Sequence, residues 1–173
     1  MTDKLLTGAL VEEAAKKSGL IWVRGEAPAA RPLWHVWHDG AAHVVGDGPG
    51  EQPLPGLRDG GTAEVTVRSK DKGGRIVAWT AGVRELTPGT EEWDAAVAEL
   101  KGKRLNAPDG EAMPERWARE CRLVRLDPRA STTELPDGSL AAVPLPSPGI
   151  TRRPIPAGLP KLLLKRKRRK PQA

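Results

Sequence analysis

The chain has 173 residues and a net charge of +6, with six Trp, one Cys and neither Phe nor Tyr. A single cysteine, Cys121, excludes an internal disulfide and points to a reducing, cytoplasmic setting. No apolar run approaches the about 18–20 residues needed to span a bilayer, and the start at Met1 lacks the long apolar core and small-residue cleavage site of a signal peptide. Abundant Ala, Arg, Gly and Pro suit a GC-rich bacterial genome. The charge is unevenly placed. Residues 128–173 hold ten Lys/Arg and two Asp/Glu, which leaves residues 1–127 with a net charge of −2. Any nucleic-acid contact must therefore be sought in the tail.

Residues 4–17 read as a helix, since Leu6, Leu10, Val11 and Ala14 make one apolar stripe. Ser18-Gly19 ends it, Gly tolerating the left-handed cap. Leu20 to Val23 reads as a strand. Arg31 to His38 and Ala41 to Gly46 flank Asp39-Gly40, the signature of a two-residue type I′ hairpin, which needs positive φ at both central positions. The Gly- and Pro-rich stretch 46–57 is a long structured loop. Thr62 to Arg68 alternates as a half-buried strand, and Arg75 to Leu86 is a longer one in which Gly82 marks a bulge or close approach. Thr90 caps a helix carrying Trp93, Ala96, Val97 and Leu100 on one face, and Gly102 is its C-terminal stop. A second helix starts near Pro114, and Cys121 to Leu126 reads as the last strand. This order predicts an α+β, mainly β, barrel or curled sheet of antiparallel strands with peripheral helices over residues 1–127. Residues 128–173 hold nine of the seventeen prolines and show no apolar periodicity. They are expected to form a disordered tail.

The segment Arg31-Pro32-Leu33-Trp34-His35-Val36-Trp37-His38-Asp39-Gly40, followed by a strand and a turn of small residues, resembles the pyridoxamine 5′-phosphate oxidase-like proteins. The resemblance covers about residues 4–127. It implies an FMN-binding split barrel, an oxidoreductase activity and a homodimer with the cofactor between subunits. It also implies that Arg31, Trp34, His35 and Val36 line the cofactor edge, with Gly46, Gly48 and Gln52 beside the phosphate or ring. The family includes deazaflavin and haem binders and members without a known ligand. Where it carries Ser/Thr plus Lys, this chain has Glu51-Gln52. An acid within a few ångströms of a dianionic phosphate is unfavourable unless it points away. The competing reading is a cofactor-free split-barrel dimer that acts as an interaction module.

The other candidates carry two readings each. His35 is either a hydrogen-bonded barrel histidine or a cofactor contact able to move a proton near neutral pH. Hairpin pairing places His35 on one face and His38 and His43 on the other, so three imidazoles do not converge on a tetrahedral metal, and His38 and His43 read as a surface pair. Trp34 and Trp37 lie on opposite faces, one for the core, the other for a flavin ring or a dimer interface. Lys70 to Arg75 is a basic loop without the P-loop spacing, and it reads as a solvated turn. Cys121 reads as a structural thiol. The seven cations between Lys161 and Lys170 either solubilise the terminus or make weak, salt-dependent contact with nucleic acid or with an anionic membrane surface.

Overall fold

The expected hairpin forms at Asp39 and Gly40, with φ of 44° and 71°, in a computed structural model that describes residues 2–70, 73–107 and 109–131. The elements are α1 (Thr2–Lys17), β1 (Leu20–Arg24), β2 (Arg31–Trp34), β3 (Val36–His38), β4 (Ala41–Gly46), β5 (Thr62–Arg68), β6 (Arg75–Glu85), α2 (Glu91–Lys103), a 3-10 turn (Gly110–Ala112), α3 (Met113–Glu120) and β7 (Arg122–Ser131). The expected last strand stopped at Leu126, but β7 continues to Ser131 because it pairs with β6 along that length, Ser131 lying opposite Trp79. The tail expected to be disordered lies, from residue 132 onward, outside the described residues. Helix α1 ends where expected, with the Ser18 N–H bonded to the Ala14 carbonyl at 3.1 Å. Gly19, however, is not among the residues with positive φ, so the left-handed cap is not used. Among the described residues, no helix is long and apolar enough to cross a membrane.

The strands form one antiparallel sheet in the order β2-β1-β5-β6-β7-β4-β3. Its two end strands, β2 and β3, are consecutive in the chain and separated only by His35. The sheet therefore curls into a nearly closed split barrel whose seam passes through that residue. This corrects the single strand expected over Arg31–His38. Residues 31–34 pair with β1, Leu33 opposite Ile21, while residues 36–38 pair with β4, Val36 opposite His43 and His38 opposite Ala41. Gln52 accounts for the break. Its Oε1 accepts from the Trp34 N–H at 2.9 Å, and its Nε2 donates to the Trp34 carbonyl at 2.9 Å and the Val45 carbonyl at 3.2 Å. One side-chain amide thus stitches β2 to β4 where no strand pairing does.

Two cores result. The barrel interior holds Ile21, Leu33, Val44, Val65 and Trp79, with Val11 and Ala15 of α1 plugging it. The second core lies between the outer face of β3, β4 and β7 and the helices, and contains Val36, Val45, Trp93, Leu100 and Trp117. Helix α2 starts as expected, the Trp93 N–H donating to Thr90 Oγ1 at 3.3 Å, and Trp93, Ala96, Val97 and Leu100 are its buried residues. It runs through the expected stop at Gly102 to Lys103, where the Arg104 N–H bonds the Leu100 carbonyl. Gly82 is a close approach, since an added Cβ would lie 2.4 Å from the Arg129 guanidinium. A register shift falls beside it, between Thr80 and Ala81.

Candidate functional site

Trp34 and Trp37 point to opposite faces, as alternation requires, and each serves a different core. Trp37 meets Trp79 edge-on inside the barrel at 6.4 Å between ring centroids. Trp34 meets Trp117 of the second core at the same centroid separation and 40° between planes. Trp34 is only half-buried, and the Arg104 guanidinium lies 5.7 Å from its ring centroid.

Next to it, His35 is buried at the seam. Its Nε2 donates to the Ala15 carbonyl at 3.0 Å, which ties the end of α1 to the barrel. Nδ1 is then left as an acceptor, buried and without a partner among the described residues. Burial lowers the His35 pKa from 6.5 to about 4, opposed by the bond to Ala15 and reinforced by Lys103. His35 is therefore a neutral imidazole at pH 7.

Trp34 and His35 line one side of a cleft of about 560 Å³. Lys16 and Lys17 enter it from the end of α1, Lys70 from the β5–β6 loop, and Lys103 and Arg104 from the end of α2. Cations at helix C-termini are favourable for their own helices, and here two such ends converge. No acidic side chain lines the cleft among the described residues. Lys16 and Lys17 pair with Glu12 and Glu13 one turn back, each at 2.5 Å, in solvent. Lys70 and Lys103 have no ion-pair partner among the described residues. Leu105, 75% exposed, forms an apolar rim.

The acid at position 51 turns away from this cleft. The Glu51 side chain is fully buried, accepting from Arg116 at 3.0 Å, from Arg104 at 3.2 Å and from the Trp117 indole at 3.0 Å. Arg104 also donates to the carbonyls of Leu105 and Gly50. It is thus fastened over Trp34 as a fixed cation. Arg116 is held further by Asp109, and its pKa is raised by that hydrogen bond and by Glu51.

The remaining residues singled out from the sequence are distributed around this centre. Gln52 and Gly46 support Trp34 from behind: Gly46 bridges Gln52, and a Cβ on Gly46 would lie 2.2 Å from the Gln52 carbonyl oxygen. A Cβ on Gly48 would lie 2.3 Å from the Cys121 sulfur, so the loop passes directly over that thiol, whose pKa burial raises. Val36 is fully buried in the second core, and Arg31 is exposed at the far end of β2 opposite Val23. The structure thus brings Trp34, His35, Gln52 and Gly46 together and leaves Arg31 apart. Sequence reading missed Lys16, Lys17, Lys103 and Arg104. Their only signal was a basic pair at the end of each of two helices, which helix electrostatics explains without a ligand.

The histidine pair expected at the surface is partly a correction. The His38 and His43 rings do lie 6.0 Å apart on one face, but His43 is fully buried, because α2 covers that face of β4. Its pKa falls to about 4 through burial, then through the charges of Arg125 and His38. Among the described residues, no group of three or more His, Cys, Asp or Glu could hold a metal ion.

No family model matches this chain, and no curated protein matches its sequence. Among solved structures, the fold is similar to that of the HutZ heme storage protein from Vibrio cholerae, with a TM-score of 0.52 at 12% identity, covering 70% of this chain and 92% of that one. Weaker likenesses are to a putative general stress protein 26 from Jannaschia sp. (TM-score 0.47, 13% identity, 74% and 75% covered) and to an FAD and heme binding protein from Mycobacterium smegmatis (TM-score 0.43, 15% identity, 87% and 92% covered). At these identities the likeness concerns the fold alone: a split β-barrel with peripheral helices.

Proposed function

We propose that this chain is a flavin-nucleotide-binding split-barrel protein of the pyridoxamine 5′-phosphate oxidase-like kind, taking FMN in the cleft of Trp34 and His35 and acting as an oxidoreductase. The observation that carries the reading is the cleft itself: five cations, a half-buried indole and an apolar rim within about 560 Å³, with no acid lining it among the described residues, a size usual for cofactor sites. The residues fit the group. Lys70 and Lys103 would take the phosphate, Lys16 and Lys17 would balance its charge, and Trp34 with Leu105 would border the ring. The burial of Glu51 between two arginines supports the reading, because it removes the one acid that stood against a phosphate. A bound flavin supplies hydride transfer. The chain supplies orientation and, through the orphaned His35 Nδ1, a neutral acceptor.

Haem is the ligand named for the HutZ structure. It suits this site less well, since His35 Nε2 is already committed to the Ala15 carbonyl and His43 is enclosed. Titration of the purified protein with FMN and with a deazaflavin nucleotide, followed by fluorescence, is the test. Quenching at micromolar concentrations, weakened about tenfold or more in Lys70→Glu/Lys103→Glu, is expected. Colourless protein that ignores both ligands overturns the reading in favour of the cofactor-free module. The proposal includes a homodimer, for which the exposed Leu105 at the cleft rim is a suitable contact. A monomer in sedimentation equilibrium would overturn that part. It also includes weak nucleic-acid contact through the basic segment 161–170, which lies outside the described residues. Deleting residues 161–173 is expected to abolish retention on DNA at low salt, and retention by the truncated protein would exclude that segment.

A further inference from the structure

A second cleft adjoins the cationic one, and most of the surface it exposes is apolar. It has a volume of about 330 Å³ and runs between α1 and the β5–β6 strands. Leu10 and Ala14 of α1 form one wall, Val67 and Ile76 the other; Glu13, ion-paired with Lys17, and Arg68, whose guanidinium lies 4.3 Å from the Trp22 ring centroid, also line it. Ile76 is 37% exposed, one of three large apolar side chains left in solvent among the described residues. The two clefts share Lys17, Ser18 and Lys70 as lining residues. The divide between them is therefore made of long lysine side chains, Lys17 being 76% exposed and held only by its solvent-facing pair with Glu13. Such side chains bury their methylene stems on apolar surface and carry their charge at the end. Lys17 and Lys70 belong to both linings, the apolar one and the cationic one.

We infer that the two clefts form one bipartite binding track for a single-chain amphipathic anion, with the alkyl body between α1 and Ile76 and an anionic head, phosphate or carboxylate, on Lys70 and Lys103. The inference stands on the shared wall and not on the flavin reading. Apolar surface next to Lys70 and Lys103, which have no ion-pair partner among the described residues, favours a ligand that carries both characters on one molecule. Inorganic phosphate would leave the apolar half wet, and an alkyl cation would be repelled by the lysines. Burial of each methylene adds about 0.8 kcal/mol, so the apolar half is decisive for affinity even when only part of an alkyl chain enters.

Isothermal titration of the full chain with dodecyl phosphate, dodecanoate, inorganic phosphate and dodecyltrimethylammonium, each below its micelle threshold, tests this. Both alkyl anions are expected to bind at least about tenfold more tightly than inorganic phosphate, and the alkyl cation to bind least. Ile76→Asp is expected to weaken the alkyl anions at least about tenfold more than it weakens inorganic phosphate, which loses only the charge repulsion, and Lys70→Glu to weaken all three anions. Both positions are exposed, so the variants are expected to fold, which circular dichroism checks. Inorganic phosphate binding as tightly as dodecyl phosphate, the alkyl cation binding as well as the anions, or indifference to Ile76→Asp would each overturn the inference. Anion binding by the basic tail alone is insensitive to Ile76→Asp and so counts against it. FMN titration is read separately, so the failure of either proposal leaves the other standing.

Discussion

Glu51 is a carboxylate with no solvent contact, placed one residue before the amide that closes the barrel seam. It fixes Arg104 over Trp34 and holds Arg116 against the α3 side of the loop. Both arginines keep some exposure, 22% and 16%, so the network is enclosed at the acid and open at the bases. Removing one partner of such a pair leaves the others uncompensated. Glu51→Gln is accordingly expected to destabilise the protein by about 3 kcal/mol, measured by urea unfolding. A loss below about 1 kcal/mol would show the ion pairs to be replaceable by solvent. The residue types at 51 and 52 were visible in the sequence as a departure from a phosphate-binding pattern. Their orientation was not, because the bases that neutralise Glu51 lie more than fifty positions away, at Arg104 and Arg116.

At the scale of elements, the seam decides the architecture. Strand β2 ends at Trp34 and β3 begins at Val36, and between them one buried histidine bonds to α1 while one glutamine side chain bridges to β4. Gln52→Leu keeps the volume and removes three hydrogen bonds, exposing two Trp34 backbone groups and the Val45 carbonyl as orphans. The expected cost is about 1–3 kcal/mol in urea unfolding, with hydrogen exchange accelerated at Trp34 before the rest of β2. Uniform acceleration across the sheet would place the weak point elsewhere. Alternation read Arg31–His38 as continuous since its periodicity is unbroken, and periodicity says nothing about which neighbour each half pairs with. The local signals fared better: Asp39-Gly40 and Thr90 act through their own backbone neighbourhood and appear as read.

At the scale of the whole molecule, two buried imidazoles couple stability to pH. His35 and His43 both titrate near pH 4 when folded, against 6.5 for the free side chain, chiefly because burial penalises the charged ring. A lowered folded pKa means that the unfolded chain takes up protons first. Stability is therefore complete above about pH 6.5 and falls as the pH drops toward 4, by at most about 3 kcal/mol for each histidine. Urea midpoints measured between pH 7 and 4.5 check this. His43→Leu is expected to remove about half of the decline, since neither ring nitrogen of His43 has a hydrogen-bond partner among the described residues. An undiminished slope would show that another group carries the proton uptake.

The sequence by itself determined what is local. Strand alternation, the Asp39-Gly40 turn, the Thr90 cap and the apolar stripe of α2 are written in neighbouring residues, and together they are enough for a mainly β barrel with peripheral helices. Only the tertiary structure decided what depends on residues far apart in the chain. It buried His43 beneath α2, turned Glu51 inward onto Arg104 and Arg116, and split the Arg31–His38 run at His35. It also gathered Lys16, Lys17, Lys70, Lys103 and Arg104 around Trp34 from three separate elements. Each of those lysines and that arginine reads in sequence as an ordinary solvated charge. Their meaning as a cleft arises from convergence, and convergence is set by the closure of the barrel, which no single stretch of the chain encodes.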